Sequence, residues 1–395
     1  MTDVAAPFLP FARPSITDRE RAAVLEVLDS GWLTTGPKVK AFEAAFAERV
    51  GVRHAIALNS ATDALHLALD AFGVDEGDEV IVPTWTFAAS AEVVAYRRGK
   101  VVLVDVERET LNATTEGVLA AVTPKTKAVI AVHIAGRPMA IEELVGELDA
   151  RGIPVVEDSA HAFPSRIGGP GGPMAGAVAR AGAYSFYATK TISTGEGGMF
   201  VTDDDAIADR VRLMSLHGIS RDAWKRYTAG GSWYYEIEDA GYKYNMTDMA
   251  AALGLVQLDR AEELLEARLA LVEQYRQAFA ASGSADLLEL PTDAADGSHA
   301  WHLFIVRLQL DRLRIDRAEV MDGLAAAGIG ASVHFIPLHM HPYHRRMGGW
   351  TADMFPVAEA EYQRVISLPL WPGMTADDVQ RVVDALDGIL TAARR

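Results

Sequence analysis

Between residues 54 and 157, short apolar runs alternate with amphipathic stretches. His54–Leu58, Glu79–Val82, Val101–Val104, Ala128–Val132 and Pro154–Glu157 read as strands. Thr62–Phe72, Phe87–Arg97 and the segments 115–122 and 138–151 read as the helices between them. Strands that are apolar throughout are buried on both faces, so the pattern predicts a mostly parallel sheet covered by helices on both sides. Upstream, Ser15–Ser30 reads as a helix with Ser15 or Thr17 as its cap, Glu20 close behind and Gly31 as its stop. Strands at 181–186 and 198–202 leave only residues 187–197 between them. A parallel crossover needs about a dozen residues or more, so at least one antiparallel pair is expected.

Thr247–Ala280 is long helical sequence. Beyond about residue 285 the texture changes: Trp301–Leu308 alternates like a strand, Arg317–Ala326 is helical, and Thr375–Arg394 forms a last amphipathic helix capped by Thr375. The expected architecture is α/β, with a large domain over 15–250. A linking helix and a smaller α+β domain occupy 251–395, and residues 1–14 form an arm packed on that domain.

Composition narrows the function classes. The net charge is −17, which opposes nucleic acid and anionic membranes as partners, since both require clustered Lys and Arg. There are no cysteines, which excludes disulfides, thiolate catalysis and Cys-ligated metals. Met1–Pro14 lacks the basic start and apolar core of a signal peptide, and no run approaches the roughly 20 apolar residues of a membrane helix. A cytoplasmic protein is expected.

Lysine is scarce, and one lysine is unusual. Lys190 stands between the small, apolar run Ala183-Tyr-Ser-Phe-Tyr-Ala-Thr189 and a turn with glycines at 195, 197 and 198. In such a setting the amine can be desolvated, lose its proton and attack a carbonyl. That is what carrying pyridoxal phosphate as a Schiff base requires. Asp158 ends the apolar strand Val155-Val-Glu-Asp, where α/β sheets place ligands. A carboxylate there can pair with a protonated pyridine nitrogen and keep the ring an electron sink; an Asp at a strand end can also simply cap a helix. Ser60-Ala61-Thr62 turns the chain from strand to helix, so its open N–H groups and hydroxyls can bind a phosphate, or Ser60 and Thr62 can serve as plain caps. Trp85, just past a strand, can stack on a planar ring or pack in the core. Ser185 is a further candidate phosphate donor.

Together these elements resemble the DegT/DnrJ/StrS family of pyridoxal-phosphate enzymes, the sugar-nucleotide aminotransferases. The resemblance runs over nearly the whole chain. It rests on Gly31-Trp-Leu-Thr-Thr-Gly36, Glu157-Asp-Ser-Ala-His161, Ser185-Phe-Tyr-Ala-Thr-Lys190, Gly195-Glu-Gly-Gly198, Gly241-Tyr-Lys-Tyr-Asn-Met-Thr-Asp248 and His334-Phe-Ile-Pro-Leu-His339. It implies the aspartate-aminotransferase fold, fold type I, and a homodimer with sites at the interface. It also implies that Lys190 holds the cofactor, Asp158 pairs with the pyridine nitrogen, His161 lies beside the ring and its phenolic oxygen, and Trp85 stacks on the ring. The 241–248 segment matches one that reaches into the neighbouring subunit's site, with Lys243 where many members have a phosphate-binding Asn, and Asn245 as a second candidate. Ala61 stands where a Gly is usual.

The resemblance further implies ping-pong transfer of an amino group from L-glutamate to a keto sugar nucleotide, with Lys190 as tether and proton shuttle. A 4-keto sugar linked to dTDP or UDP is expected ahead of a 3-keto one. A regulatory DNA-binding protein and a non-catalytic cofactor-binding protein are the other readings; the acidic charge opposes the first, and the presence of both Lys190 and Asp158 the second. Tyr187, His217, His334 and His339 are the expected substrate contacts. The histidines at 334, 339, 341 and 344 invite a metal site or a plain polar loop around Pro337 and Pro342; the resemblance implies a substrate-facing loop, which is the reading taken, with no metal expected. Trp224–Tyr235, with Lys225 and Arg226, reads either as a stretch near the entrance that contacts base or sugar or as an ordinary partly buried loop.

Overall fold

Five of the apolar runs become parallel neighbours. In the computed structural model, which describes residues 7–219, 234–294 and 298–395, a seven-stranded sheet is built from β1 (His54–Leu58), β2 (Glu79–Pro83), β3 (Lys100–Val104), β4 (Thr126–Val132), β5 (Val155–Asp158), β6 (Ala181–Ser185) and β7 (Gly198–Thr202). Its order is β1-β7-β6-β5-β4-β2-β3. The run from β6 to β3 is parallel; β7 is antiparallel to both β6 and β1. The antiparallel pair expected from the short 187–197 connection is therefore β6–β7.

Side chains alternate across the sheet with period two. Val80, Val82, Ile130, Val132 and Val156 pack on one face with helices Ala61–Ala71 and Ala89–Tyr96. Ile81, Val129, Ala131 and Val155 face the other side, with helix Ile141–Asp149. Under β6 and β7 that second layer is supplied by Phe42 and Phe46 of helix Pro37–Val50 and by Ala251 and Leu258 of helix Asp248–Asp259. The alternation decides the fate of the acidic pair at the end of β5. Asp158 falls on the same side as Val156, and Glu157 on the opposite one. Glu157 accepts from Gly176 N (2.7 Å), Val178 N (2.8 Å) and Ala179 N (2.7 Å) and meets His133 Nε2 at 2.9 Å, so it ties down the 176–179 loop.

A second, antiparallel sheet consists of β8 (Leu288–Glu289), β9 (Phe304–Leu308) and β10 (Val365–Leu368), in the order β10-β9-β8. Its core joins Tyr275 and Phe279 of helix Ala261–Ala280 to Val382, Leu386 and Leu390 of helix Ala376–Ala392. Leu9 enters the same core, its backbone bonded to Gly328 and Gly330.

Capping residues behave as their chemistry requires. Thr17 and Glu20 form a reciprocal capping box ahead of Asp18–Ser30, Gly31 ends that helix in the left-handed region, and Thr375 caps the last helix with Asp378. Four helices, Pro37–Val50, Asp205–Met214, Pro342–Gly348 and Pro356–Tyr362, occupy segments to which the pattern assigned no helix. The expected helix over Thr247–Ala280 is broken at Arg260. Its buried guanidinium donates to Glu20 Oε1 (2.6 Å) and Ser15 O (3.3 Å), fastening the break to the first helix. Among the described residues no helix is long and apolar enough to cross a membrane.

Candidate active site

A cavity of about 460 Å³ opens at the C-terminal ends of β5 and β6. Lys190, Asp158, His161, Ser60, Ala61, Thr62, Ser185, Tyr187 and His334 all line it. These residues come from four separate stretches of the sequence, 60–62, 158–161, 185–190 and 334, and the fold brings them together.

Lys190 sits in the turn between β6 and β7. Its N–H donates to Tyr187 O (2.9 Å), and the turn is stitched by Phe186 N to Gly197 O (2.8 Å), Thr194 N to Phe186 O (2.9 Å) and Thr191 Oγ1 to Phe163 O (2.5 Å). Burial pushes the Lys190 amine down to about 8, while nearby Asp158 pulls it up. The amine is thus available as a nucleophile near neutral pH.

Asp158 is buried, and desolvation raises its pKa against the hydrogen bonds it receives. Ser90 Oγ donates to its Oδ2 (2.8 Å) and Ala160 N to its Oδ1 (3.2 Å); Ser90 is held in turn by Thr86 Oγ1 (2.8 Å). His161 accepts at Nδ1 from Ala135 N (3.3 Å), which leaves its proton on Nε2. Burial keeps its pKa well below the ordinary histidine value, so the ring is neutral. Along one wall the rings of Phe87, Phe335, His161 and His302 follow each other with centroids 5.6, 5.6 and 4.3 Å apart.

The opposite end is polar. Ser60 caps helix Ala61–Ala71 through Asp63 N (3.1 Å), which leaves the Ala61 and Thr62 amides in an open first turn beside the Ser185 hydroxyl. Gly198 packs directly on this turn: a Cβ there would lie 2.3 Å from Ser60 C and 2.5 Å from Ala61 N.

A family model, the DegT/DnrJ/EryC1/StrS aminotransferase family, matches residues 14–387. The chain belongs to this family. An uncharacterized protein of Methanocaldococcus jannaschii is 44% identical over 387 residues, 98% of this chain and 99% of that protein. The spore coat polysaccharide biosynthesis protein SpsC of Bacillus subtilis is 43% identical over 387 residues, 98% of each. Among solved structures, Spr1654 of Streptococcus pneumoniae in its PMP form superposes with a TM-score of 0.88 at 33% identity, covering 96% of this chain and 98% of that one.

As a DegT/DnrJ/EryC1/StrS aminotransferase, the chain is a pyridoxal-phosphate-dependent enzyme of fold type I. The residues present fit that cofactor. The wall offers an amine, a fixed carboxylate, a neutral imidazole, an aromatic face and a helix N-terminus, and Gly198 has no Cβ to push away the Ser60–Ala61 turn that starts that helix. Gly198→Ala will therefore lower stability by about 1–3 kcal/mol, the scale for forcing a methyl group into packed structure, and will weaken cofactor binding. Thermal denaturation with and without added pyridoxal phosphate checks both.

Several expected site residues stand elsewhere in this family member. Trp85 does not stack in the cavity. It is 0% exposed in the core beneath it, with Nε1 donating to His334 O (3.0 Å). Phe87, 60% exposed, lines the cavity in its place. His339 does not face a substrate either: it is 1% exposed and locked between Thr84 Oγ1 (2.7 Å) and Glu359 Oε1 (3.0 Å) as a strut under the 338–359 segment. His217 is exposed outside the cavity, its backbone N–H bonded to Tyr242 O (2.7 Å). Lys243 and Asn245 also lie outside the chain's own cavity; Lys243 Nζ donates to Asn245 Oδ1 (2.5 Å), and Asn59 N donates to Tyr244 O (2.8 Å) at the rim of the phosphate end. Trp224, Lys225 and Arg226 fall outside the described residues. Ser90, Phe87 and His302 are site residues that sequence reasoning missed. Its place at the start of the helix after β2 could have pointed to Ser90, the second residue of helix Ala89–Tyr96; the meeting of His302 with His161 leaves no sequence signal.

Proposed function

We propose that the protein transfers an amino group from L-glutamate to a keto sugar nucleotide, most simply a 4-keto hexose or pentose linked to dTDP or UDP. The observation that carries this reading is the convergence of a desolvated Lys190 and an anchored Asp158 on one cavity whose far end is an open helix N-terminus. Similarity to a spore coat polysaccharide biosynthesis protein supports a sugar as acceptor.

Bound in this cavity, pyridoxal phosphate supplies a carbonyl for the amine and an electron sink for Cα–H cleavage. Ser60, the Ala61 and Thr62 amides, Thr62 Oγ1 and Ser185 hold its phosphate. Asp158, fixed by Ser90 and Ala160, orients the ring and keeps its nitrogen protonated. His161 would offer its Nε2 proton to the cofactor's oxygen, and Phe87 would supply an aromatic face for the ring. Lys190 Nζ, deprotonated in this setting, would take up the proton released from the donor carbon and return it. His334 and exposed Tyr187 at the mouth contact the substrates. Lys243 and Asn245, standing at the rim and outside the cavity, serve the phosphate of a second copy in a homodimer. We place the enzyme in the cytoplasm.

The test has two halves. L-Glutamate added alone will bleach the yellow band of the purified enzyme and release 2-oxoglutarate. The bleached enzyme, offered a panel of 4-keto and 3-keto nucleotide sugars, will regain its colour with the 4-keto members, and product identification will locate the new amine. Recovery only with 3-keto sugars overturns the position proposed; no bleaching by any amine donor overturns the transfer itself.

A further inference from the structure

His302 has no part in the function argued so far, yet the fold spends unusual backbone geometry on placing it. It is 5% exposed, lines the cavity, and has an Nδ1 with no hydrogen-bond partner among the described residues. An unpaired buried nitrogen is destabilising, so packing alone is a poor reason to keep it.

Two turns meet beneath this ring. Ala135, at φ 58°, donates its N–H to His161 Nδ1 (3.3 Å) and accepts at its carbonyl from Leu303 N (3.1 Å). Gly136 accepts from Ala300 N (2.9 Å) and packs so closely that a Cβ would lie 3.0 Å from both His161 O and His302 N. Trp301, immediately before His302, is at φ 49°, left-handed backbone that a bulky side chain adopts only when its surroundings impose it. The imposition is visible. His299 stacks flat on Trp301 at 4.0 Å, and its Nδ1 accepts from Trp301 N (2.9 Å). Arg268, buried and without a carboxylate partner among the described residues, donates to Trp301 O (3.1 Å), His302 O (3.4 Å) and Leu370 O (2.9 Å).

We propose that His302 is a positioning residue for His161: its ring, set by the 299–302 turn at 4.3 Å and 43° from the His161 ring, fixes the tilt at which His161 addresses the bound cofactor. Ala135 links the two turns, since its N–H holds His161 and its carbonyl holds Leu303, the residue after His302. The proposal rests on the assignment of His161 to the cofactor ring.

The test uses the holoenzyme and a double-mutant cycle. His302→Phe keeps a ring and removes the unpaired nitrogen; His302→Leu is the smaller companion if the six-membered ring overpacks. Either variant will retain the wild-type melting temperature or exceed it. Its visible band will shift, and kcat of the glutamate half-reaction will fall roughly 10–100-fold, the scale of a slightly misplaced group, with KM for glutamate little changed. In a His161→Ala background the same His302 substitution will change kcat by less than about 2-fold, because its effect passes through His161. A stable His302 variant with wild-type band and kcat, or one whose loss adds in full to that of His161→Ala, overturns the proposal. A His161→Ala enzyme with an unchanged band would instead sink the assignment of His161, a distinguishable failure.

Discussion

Lys190→Ala will purify colourless after dialysis, will retain no cofactor after borohydride treatment, and will run the L-glutamate half-reaction at least about 10³-fold more slowly. Proton transfer by a positioned base is alone worth about 10²–10⁴, and this residue also makes the covalent attachment. The loss will come without unfolding, because Lys190 is held by backbone bonds in a turn and its side chain faces the cavity. The wild type carries a second, pH-based signature. With its amine pushed down to about 8 by burial, the protonated fraction falls as pH rises through that value. Attachment of pyridoxal phosphate to the apoenzyme will therefore accelerate with pH and level off above about 8. An ordinary solvated lysine would keep accelerating toward about 10.4. A midpoint near the latter, or a yellow, reducible Lys190→Ala protein, would remove Lys190 from its role.

Asp158→Asn will separate cofactor binding from chemistry. The amide has the shape of the carboxylate and can still meet Ser90 and the Ala160 N–H, and removing a buried charge relieves the desolvation that raises its pKa. The variant will fold, melt near the wild-type temperature and still attach cofactor through Lys190. Its glutamate half-reaction will nevertheless slow by on the order of 10²–10³, the scale for losing one preorganised electrostatic partner. Stopped-flow measurement of bleaching reads this directly. A wild-type bleaching rate in Asp158→Asn would show that no charge is needed at that position.

The elements that carried most of the sequence reading were those whose local pattern admits one geometry. Continuous apolar runs at β2 and β4 require burial on both faces, as helices on both sides of a sheet provide, and the short 187–197 connection forbids a crossover. Lys190, Asp158 and the Ser60–Thr62 turn were legible because each sits at a strand end, and strand ends converge on one rim. Helix Pro37–Val50 was legible in principle: its buried positions 39, 42, 46 and 50 keep helical spacing, and Gly51 ends it. Trp85 and Phe87 show where local reading stops. They lie two residues apart in a bend after β2, and which ring turns to the cavity is decided by the His334 carbonyl waiting for the indole N–H. His339 and His302 fail the same test in opposite directions. Thr84 and Glu359 claim the first, and contact across two distant turns creates the second.

The antiparallel strand β7 has a consequence for how the chain acquires its shape. Among the described residues β1 has β7 as its one strand partner, with a single further bridge from Leu58 to Asn245, and His54 meets Thr202, 148 positions further along (202 − 54). Closing so long a loop is entropically costly and slow, so the strand leading into Ser60 has no sheet partner until β7 has formed. By pairing with both β1 and β6, β7 also closes the Lys190 turn. Phosphate cradle and attachment point are thus assembled in one late event. During refolding, the return of colour will mark the docking of β7 and will lag behind the recovery of helical signal.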